Sequence, residues 1–179
     1  MGTAIVWFRR DLRIDDNPAL HAAAKEHDRI LPVFIWSPEE EAPWSPGGAS
    51  RWWLHYSLVA LQDALLAKGL ALVIRTGPVG KALSQLAEEA KAEGVYWNRL
   101  YDPVLVQRDT ALKDALTEQG LTCRSFNGSL LIEPWEVETS TGGPYRVFTP
   151  FWRQLQKSYR ASSPAPFDPA SVSTPAGID

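Results

Sequence analysis

The residues best suited to chemistry begin in the stretch WFRRDLRIDDNPAL, residues 7–20, which follows a short apolar run. It holds three arginines and three aspartates in alternation, and Asn17-Pro18 then opens a predicted helix. The alternating signs predict internal salt bridges that fix this loop and leave one or two groups facing a ligand. The stretch is therefore either a self-paired surface loop or a ligand-binding edge.

Two further stretches combine charged or polar side chains with aromatic ones. SRWWLHYSL, residues 50–58, places Arg51 and two tryptophans in the first turn of a predicted helix. Arginine can pair there with an anion, and Trp52 or Trp53 can stack on a ring, although one of the two can also pack onto a sheet. WNRLYDP, residues 97–103, ends a predicted strand with the polar side chains Asn98, Tyr101 and Asp102. These side chains could hydrogen-bond a heterocycle, or they could simply form the turn and cap the next helix.

Several classes of protein are disfavoured by the motifs that the sequence lacks. No G-x-G-x-x-G follows the first predicted strand and no G-x-x-x-x-G-K-[ST] occurs, which argues against nicotinamide-dependent dehydrogenases and P-loop enzymes. Neither a Gly-x-Ser-x-Gly elbow, a His-rich metal spacing nor a convincing carboxylate pair is present, so no catalytic constellation and no metal site is predicted. The lone Cys123 cannot build a disulfide framework, and the net charge of −3 argues against nucleic-acid binding by the whole surface. The residues alone indicate a binding domain for a flat or partly anionic small molecule.

The elements that must position these residues follow a repeated pattern. Helical stretches rich in Ala, Leu, Glu and Lys reach Gly69, Gly94 and Gly120, and a short apolar or β-prone run begins after each glycine. Helices are predicted over residues 18–26, about 50–68, 79–93 and 103–118. In the second of them Leu54, Leu58, Leu61 and Leu65 form one stripe facing a sheet. Strands are predicted over residues 3–8, 30–36, 70–75, 95–99 and 121–126.

Right-handed crossovers between these strands give an α/β fold, a Rossmann-like, doubly wound five-stranded parallel sheet with helices on both faces. In such a sheet, ligands bind outside the carboxyl ends of the strands, at the point where the strand order reverses. The charged loop that follows the first strand lies at that edge. Its position favours the ligand-binding interpretation.

The repeated pattern stops after residue 126, and this predicts the domain boundaries. We expect the α/β domain over residues 1–135 and an interdomain segment over 136–161 that ends in a helix, about 149–160. Residues 162–179 are rich in Pro, Ser and Ala with little to bury, and we expect an extended linker there with further sequence beyond it. No signal peptide and no membrane span is predicted, so a cytoplasmic location is expected.

Four stretches taken together resemble the photolyase/cryptochrome family, in its order and spacing, across residues 3–160. They are WFRRDLRIDDNPAL (7–20), ASRWWLHYSL (49–58), NRLYDPVLVQRD (98–109) and PYRVFTPFWR (144–153). The resemblance implies that this α/β domain carries an antenna chromophore, which is a deazaflavin, a flavin or a folate. It also implies a following helical domain that holds FAD and binds damaged DNA. In that scheme the antenna passes its excitation to reduced FAD, which donates an electron to a pyrimidine dimer and splits it.

The resemblance also assigns residues of this chain to two contacts. The chromophore would lie along Arg10, Asp11 and Leu12 on one side, against Trp36, Arg51 and Trp52 on another, and over Asn98, Tyr101 and Asp102. The contact with the helical domain would involve Tyr145, Phe148, Phe151, Trp152 and Arg153. No catalytic residue is assigned, because the FAD site and the dimer pocket belong to the helical domain. The chain as given is therefore not expected to repair DNA.

One departure from the family bears on the chromophore. Where a folate-binding branch has an Asn-Glu pair, this chain has Val104 and Leu105, whose apolar side chains cannot replace those hydrogen bonds. That folate-binding mode is disfavoured, and a deazaflavin, a flavin, a differently placed folate or no antenna all remain open.

Three alternatives to a photolyase domain also remain at this point. They are a cryptochrome photoreceptor, a free-standing nucleotide-binding domain, and an interaction module with a basic helical face formed by Arg146, Arg153, Lys157 and Arg160.

Overall fold

The computed structural model describes residues 2–160, 166–168 and 172–178. The strands of this part are β1 (Thr3–Phe8), β2 (Arg29–Trp36), β3 (Val73–Thr76), β4 (Ala92–Asn98) and β5 (Thr122–Phe126). The α-helices are α1 (Pro18–Glu26), α2 (Gly48–Leu66), α3 (Val79–Ala90), α4 (Pro103–Glu118) and α5 (Phe148–Ser158), and a short 3-10 helix spans Pro38–Glu41.

The five strands form one parallel sheet in the order β3-β2-β1-β4-β5. Side chains alternate along β1, so that Ile5 and Trp7 join the core formed with α3 and α4, whereas Val6 and Phe8 join the core formed with α1 and α2. Helices α1 and α2 thus cover one face of the sheet, and α3 and α4 cover the other. The strand order reverses between the neighbouring strands β1 and β4, whose carboxyl ends mark the switch point of a doubly wound sheet. The predicted fold class is confirmed.

The glycine pattern is confirmed at two of its three positions. Gly69 and Gly120 have φ of 75° and 87°, the left-handed conformation in which a glycine avoids steric strain. The prediction is wrong at Gly94, because α3 ends earlier with Lys91 in the left-handed conformation at φ 49°, and Gly94 lies inside β4. A Cβ at Gly94 would lie 3.0 Å from the carbonyl oxygen of Thr122, so this glycine permits the close approach of β5.

Helix α2 buries only its carboxyl-terminal half. Leu61 and Leu65 are buried, whereas Leu54 and Leu58 are only partly covered, so the predicted four-leucine stripe on the sheet is wrong in its first half. The reason is that a cavity separates this half of the helix from the sheet. Among the described residues, no helix has both the length and the apolar character needed to cross a bilayer.

The described parts of residues 162–179 pack onto the α/β domain. Phe167 is 2% exposed and joins the core beside α1 and α2. The carbonyl of Ser173 accepts a hydrogen bond from the N–H of Ile30 at 2.9 Å, which makes a short parallel bridge at the start of β2. The expectation that this stretch has little to bury is wrong at these positions, because an aromatic ring and a free strand edge are available to it. The domain boundaries stay predictions, and residues 161–165 and 169–171 of the interdomain and linker predictions lie outside the described residues.

A hydrogen-bonded cluster on β4 carries one pH-dependent contribution to stability. The buried Tyr96 donates its hydroxyl hydrogen to Glu26 at 2.8 Å, and His27 Nε2 lies 3.0 Å from the same oxygen. Burial, followed by the bond to Glu26, raises the pKa of Tyr96 from 10.0 to about 12.

We expect the free energy of unfolding to fall as the pH rises from 10.0 to about 12. In this window the unfolded chain releases the Tyr96 proton while the folded chain retains it, so deprotonation favours unfolding; below pH 10.0 the contribution is fully present. Urea unfolding at several pH values in this window measures the effect. Tyr96→Phe is the control, because it lacks the ionisable hydroxyl. An equal decline in both proteins would contradict the assignment to Tyr96.

Candidate ligand-binding cavity

A cavity of about 620 Å³ lies at the carboxyl ends of β1 and β2, beside the switch point of the sheet. Its floor comes from the end of β1 and the loop after it, and its roof from the amino-terminal half of α2. The lining comprises Trp7 to Arg13 of the β1 edge, Phe34 to Ser37 of the β2 edge, Glu41, Pro46, Ser50, Trp53, Leu54, Ser57 and Ala60 around α2, and Val79, Leu100 and Arg108.

The charged loop after β1 lies where the sequence predicts. Arg10, Asp11 and Leu12 all line the cavity. Within the loop, Asp11 accepts a hydrogen bond from the backbone N–H of Arg9 at 2.8 Å, and Arg13 Nη2 lies 3.8 Å from Asp16 Oδ2. The predicted internal salt bridges are wrong for Arg9 and Arg10, which pair with Asp109 and Asp102 outside the loop because the neighbouring helix α4 brings those carboxylates close.

A buried group of charges supports the floor of the cavity. Arg9 and Asp109 are 7% and 9% exposed, and Arg9 Nη1 donates to Asp109 Oδ2. Arg108 donates to the other oxygen of Asp109 at 2.8 Å, so one carboxylate serves two guanidinium groups. Burial lowers the pKa of Arg9, and the contact with Asp109 opposes that shift.

The two guanidinium groups also surround a tryptophan that faces the cavity. The guanidinium carbons of Arg9 and Arg108 lie 4.6 Å and 5.3 Å from the ring centroid of Trp7. Arg9 Nε is buried without a hydrogen-bond partner among the described residues. The cavity floor therefore rests on a buried tryptophan whose ring packs against two cationic groups.

The residues predicted from the end of β4 do not line the cavity. Asn98 is 3% exposed, and its carboxamide donates to Asn17 Oδ1 at 2.8 Å and to Asp11, so it holds the charged loop from beneath. Asp102 is exposed and accepts from Arg10 at 3.0 Å, beside the cavity mouth. Tyr101 faces away and donates to the buried Glu133 at 2.8 Å. Leu100 lines the cavity instead, and no sequence pattern singled it out.

The helix α2 presents a different tryptophan from the one predicted. Trp36 lines the cavity as expected, but Arg51 and Trp52 do not; Trp53 does. Trp52 packs on Tyr56 at a centroid distance of 4.7 Å on the outer face. Neighbouring helical residues are rotated by about 100°, and this rotation takes Trp52 out of the stripe that faces the cavity. The signal that could have found Trp53 is the inward stripe itself, which continues backward from Leu61 through Ser57, Leu54, Trp53 and Ser50.

The residues assigned to an interdomain contact lie on and before α5. Phe148 and Trp152 are 69% and 44% exposed, and their rings stack at a centroid distance of 6.0 Å. Tyr145 and Phe151 are half-buried against each other at 6.4 Å, and Arg153 is exposed. In this amphipathic helix only Leu155 is buried, so α5 presents an apolar surface to its surroundings.

The comparison with protein families decides the identity of the fold. The family model described as DNA photolyase matches residues 4–170, which is most of the chain. This chain belongs to the DNA photolyase family. Its α/β fold corresponds to the amino-terminal domain of photolyases and cryptochromes.

Individual relatives of the photolyase family show the same relation. The chain is 47% identical over 171 residues to the deoxyribodipyrimidine photo-lyase of Agrobacterium fabrum, covering 96% of this chain and 35% of that protein. It is 45% identical over 165 residues to cryptochrome-1 of Arabidopsis thaliana, covering 91% of this chain and 24% of that protein. The crystal structure of a bacterial class III photolyase from Agrobacterium tumefaciens superposes with a TM-score of 0.90 at 44% identity, covering 100% of this chain and 36% of that one. The chain thus spans between about a quarter and a third of the length of these relatives.

Proposed function

We propose that this chain is the light-harvesting, chromophore-binding domain of a deoxyribodipyrimidine photolyase. The observation that carries the proposal is the cavity at the switch point of the sheet, walled by Trp36 and Trp53 and floored by Trp7 with its two arginines. A chain of the photolyase family with an aromatic, cationic cavity of this kind is suited to hold a planar light-absorbing molecule.

The size and chemistry of the cavity fit such a molecule. A volume of about 620 Å³ lies within the usual range of small-molecule and cofactor sites. Trp36 and Trp53 offer flat apolar surface for a ring system. Arg9 and Arg108 bring positive charge to the lining, which suits an electron-rich or anionic group on the ring system. The chromophore would supply the light absorption, and the chain's residues would bind it, orient it and exclude water.

Among the candidate chromophores, the structure supports a deazaflavin or a flavin more than a folate bound as in the Asn-Glu branch. Leu105 is 3% exposed in the core, and Val104 is 59% exposed outside the cavity lining. Neither position presents a hydrogen-bonding group to the cavity. A three-ring heterocycle packed between α2 and the β1 edge makes better use of the residues that do line it.

The test begins with the absorption and fluorescence spectra of the purified chain in the near-ultraviolet and blue. A chromophore retained on purification would show a band there whose position distinguishes a folate from a flavin or deazaflavin. The chain is then titrated with FMN, a 5-deazaflavin and a reduced folate while tryptophan and ligand fluorescence are recorded. We expect saturable quenching with FMN or the deazaflavin. No response to any of the three at high micromolar concentration would refute the proposal.

For the whole protein we propose light-driven repair of pyrimidine dimers, with FAD and damaged DNA bound by a helical domain that contacts α5. The exposed Phe148 and Trp152 support that contact, because an apolar surface of this kind suits a protein partner. Light-dependent splitting of dimers by the complete protein tests the activity.

A cryptochrome photoreceptor is the second candidate, favoured by 45% identity to cryptochrome-1, and it predicts photoreduction of FAD without dimer splitting. A free-standing nucleotide-binding domain and a basic interaction module gain no support from the comparisons.

A further inference from the structure

The roof of the cavity is held in place by unusually little apolar burial. It consists of residues 37–60, which we call the cover segment: the 3-10 helix Pro38–Glu41, the turn after it and the first part of α2. None of residues 38–60, all of which the structure describes, is buried. The first buried side chain of α2 is Leu61. Fully buried apolar packing of this helix therefore begins only beyond the cover segment, in which Leu54 and Leu58 are partly covered.

Two carboxylates tie the cover segment to the rest of the domain. Glu40 Oε1 accepts a hydrogen bond from the backbone N–H of Val79 at 2.9 Å, and Glu40 Oε2 lies 3.6 Å from Arg108 Nη1. Glu41 Oε2 lies 3.6 Å from Arg10 Nη2. Val79, Arg108 and Arg10 belong to α3, α4 and the loop after β1, which we call the frame. The contacts thus join a loosely packed segment to elements that lie against the sheet.

Of these two carboxylates, Glu40 makes the stronger tie. Its side chain is 26% exposed and that of Arg108 is 20% exposed, whereas Arg10 is 55% exposed and shares its guanidinium with Asp102. Arg108 is also held by Asp109, so it meets Glu40 with little loss of side-chain freedom. The hydrogen bond of Glu40 is the one from Val79, and its contact with Arg108 is a partly buried ion pair, which contributes more than an exposed pair in water.

We propose that the cover segment is a lid over the cavity and that Glu40 is the latch that holds it closed. Breaking the contacts of Glu40 with Val79 and Arg108 lets the cover segment open by local unfolding of the α2 turns that precede Leu61, which breaks their backbone hydrogen bonds and opens the cavity. The lid also carries part of the lining, because Ser50, Trp53, Leu54 and Ser57 all face the cavity. A molecule in the cavity would contact both the lid and the frame and so favour the closed state. This role in ligand entry rests on the proposed function.

Amide hydrogen exchange of the ligand-free chain tests the latch by itself. Glu40→Ala should speed exchange of the helical amides of residues 52–60 by about ten-fold relative to the wild type, since it removes a hydrogen bond to a charged group and an ion pair. The matched control is Glu39→Ala, an exposed position on the same 3-10 helix, which should leave that exchange unchanged. Exchange in β1 and β4 should be unaffected by either substitution.

Salt gives a second measurement on the same proteins. Raising NaCl from about 0.1 M to about 1 M should speed exchange of residues 52–60 in the wild type, because salt screens the Glu40–Arg108 ion pair. The effect of salt should be smaller in Glu40→Ala, which lacks this ion pair. Equal exchange in Glu40→Ala and Glu39→Ala would overturn the latch. An increase spread evenly over β1, β4 and α2 would overturn it as well, since Glu40 would then stabilise the whole domain.

Adding FMN separates this proposal from the proposed function. In the wild type, FMN should slow amide exchange of residues 52–60. FMN should also dissociate faster from Glu40→Ala than from the wild type. A chain that shows the ligand-free latch but no effect of FMN would count against a flavin in the cavity while supporting the lid. A chain that binds FMN with no difference between the Glu40 and Glu39 variants would retain the proposed function and exclude the latch.

Discussion

Replacing Asp109 by asparagine is expected to lower the free energy of unfolding by about 3–5 kcal/mol, the usual cost of removing one partner from a buried ion pair. Asp109 is the shared carboxylate of Arg9 and Arg108, and Arg9 is 7% exposed. Asparagine retains one acceptor but no charge, so the buried guanidinium of Arg9 would stay in the protein interior without its counter-charge. Urea unfolding followed by circular dichroism measures the difference.

The control for this substitution is Asp114→Asn on the same helix. Asp114 is exposed, so the same chemical change there should alter the free energy of unfolding by less than about 0.5 kcal/mol. A loss below about 1 kcal/mol for Asp109→Asn would mean that water or a displaced side chain compensates Arg9. A large loss would identify the Arg9–Asp109–Arg108 group as the support of the cavity floor and of the ring of Trp7.

Replacing Trp53 by alanine should weaken chromophore binding by about ten- to a hundred-fold, the range expected when one stacking surface for a flat ring is removed. Trp53 lines the cavity from α2 and is 71% exposed in the ligand-free chain. The substitution should therefore cost little folding stability, and the loss should appear in binding. The measurement is the fluorescence titration with FMN or with whichever of the three candidate chromophores binds.

Trp52→Ala is the matched control, because Trp52 is the neighbouring residue, is 62% exposed and lies outside the cavity lining. It should leave the affinity within about two-fold of the wild type, as expected for a surface substitution away from the site. The opposite result, a loss with Trp52→Ala and none with Trp53→Ala, would restore the assignment made from the sequence and place the chromophore on the outer face of α2.

Sequence features predicted most helices and strands well, because the starts and ends of these elements depend on the chemistry of nearby residues. Asn17 accepts a hydrogen bond from the N–H of Leu20 at 3.2 Å, and Pro18 begins α1, as their residue types indicate. Gly69 and Gly120 end helical stretches in the conformation that glycine favours. The prediction at Gly94 was wrong because local sequence does not distinguish a glycine required for close strand packing from one required for a turn.

The candidate site was less predictable because it depends on the directions of side chains after packing. Two adjacent tryptophans have the same side-chain chemistry, and only their different positions around α2 distinguish Trp53 from Trp52. Asn98 has the chemistry of a ligand contact, but its carboxamide is used by Asp11 and Asn17 beneath the loop. A Cβ on Gly128 would lie 2.6 Å from Cγ of Asn98, so the position of Asn98 leaves room only for glycine at residue 128. No local sequence pattern connects these two residues.

The sequence by itself determined the α/β fold, the order of its elements, the membership of the photolyase family and the position of the charged loop at the carboxyl end of the first strand. These follow from hydrophobic periodicity, capping residues and long family-specific stretches, all of which are written along the chain. Only the tertiary structure decided that Arg9, Arg108 and Asp109 form one buried charge group, that Trp53 rather than Trp52 faces the cavity, and that the described part of the carboxyl-terminal stretch packs on the domain. The physical reason is that burial, charge pairing and the direction of a side chain arise from contacts between residues as far apart in the sequence as Arg9 and Asp109.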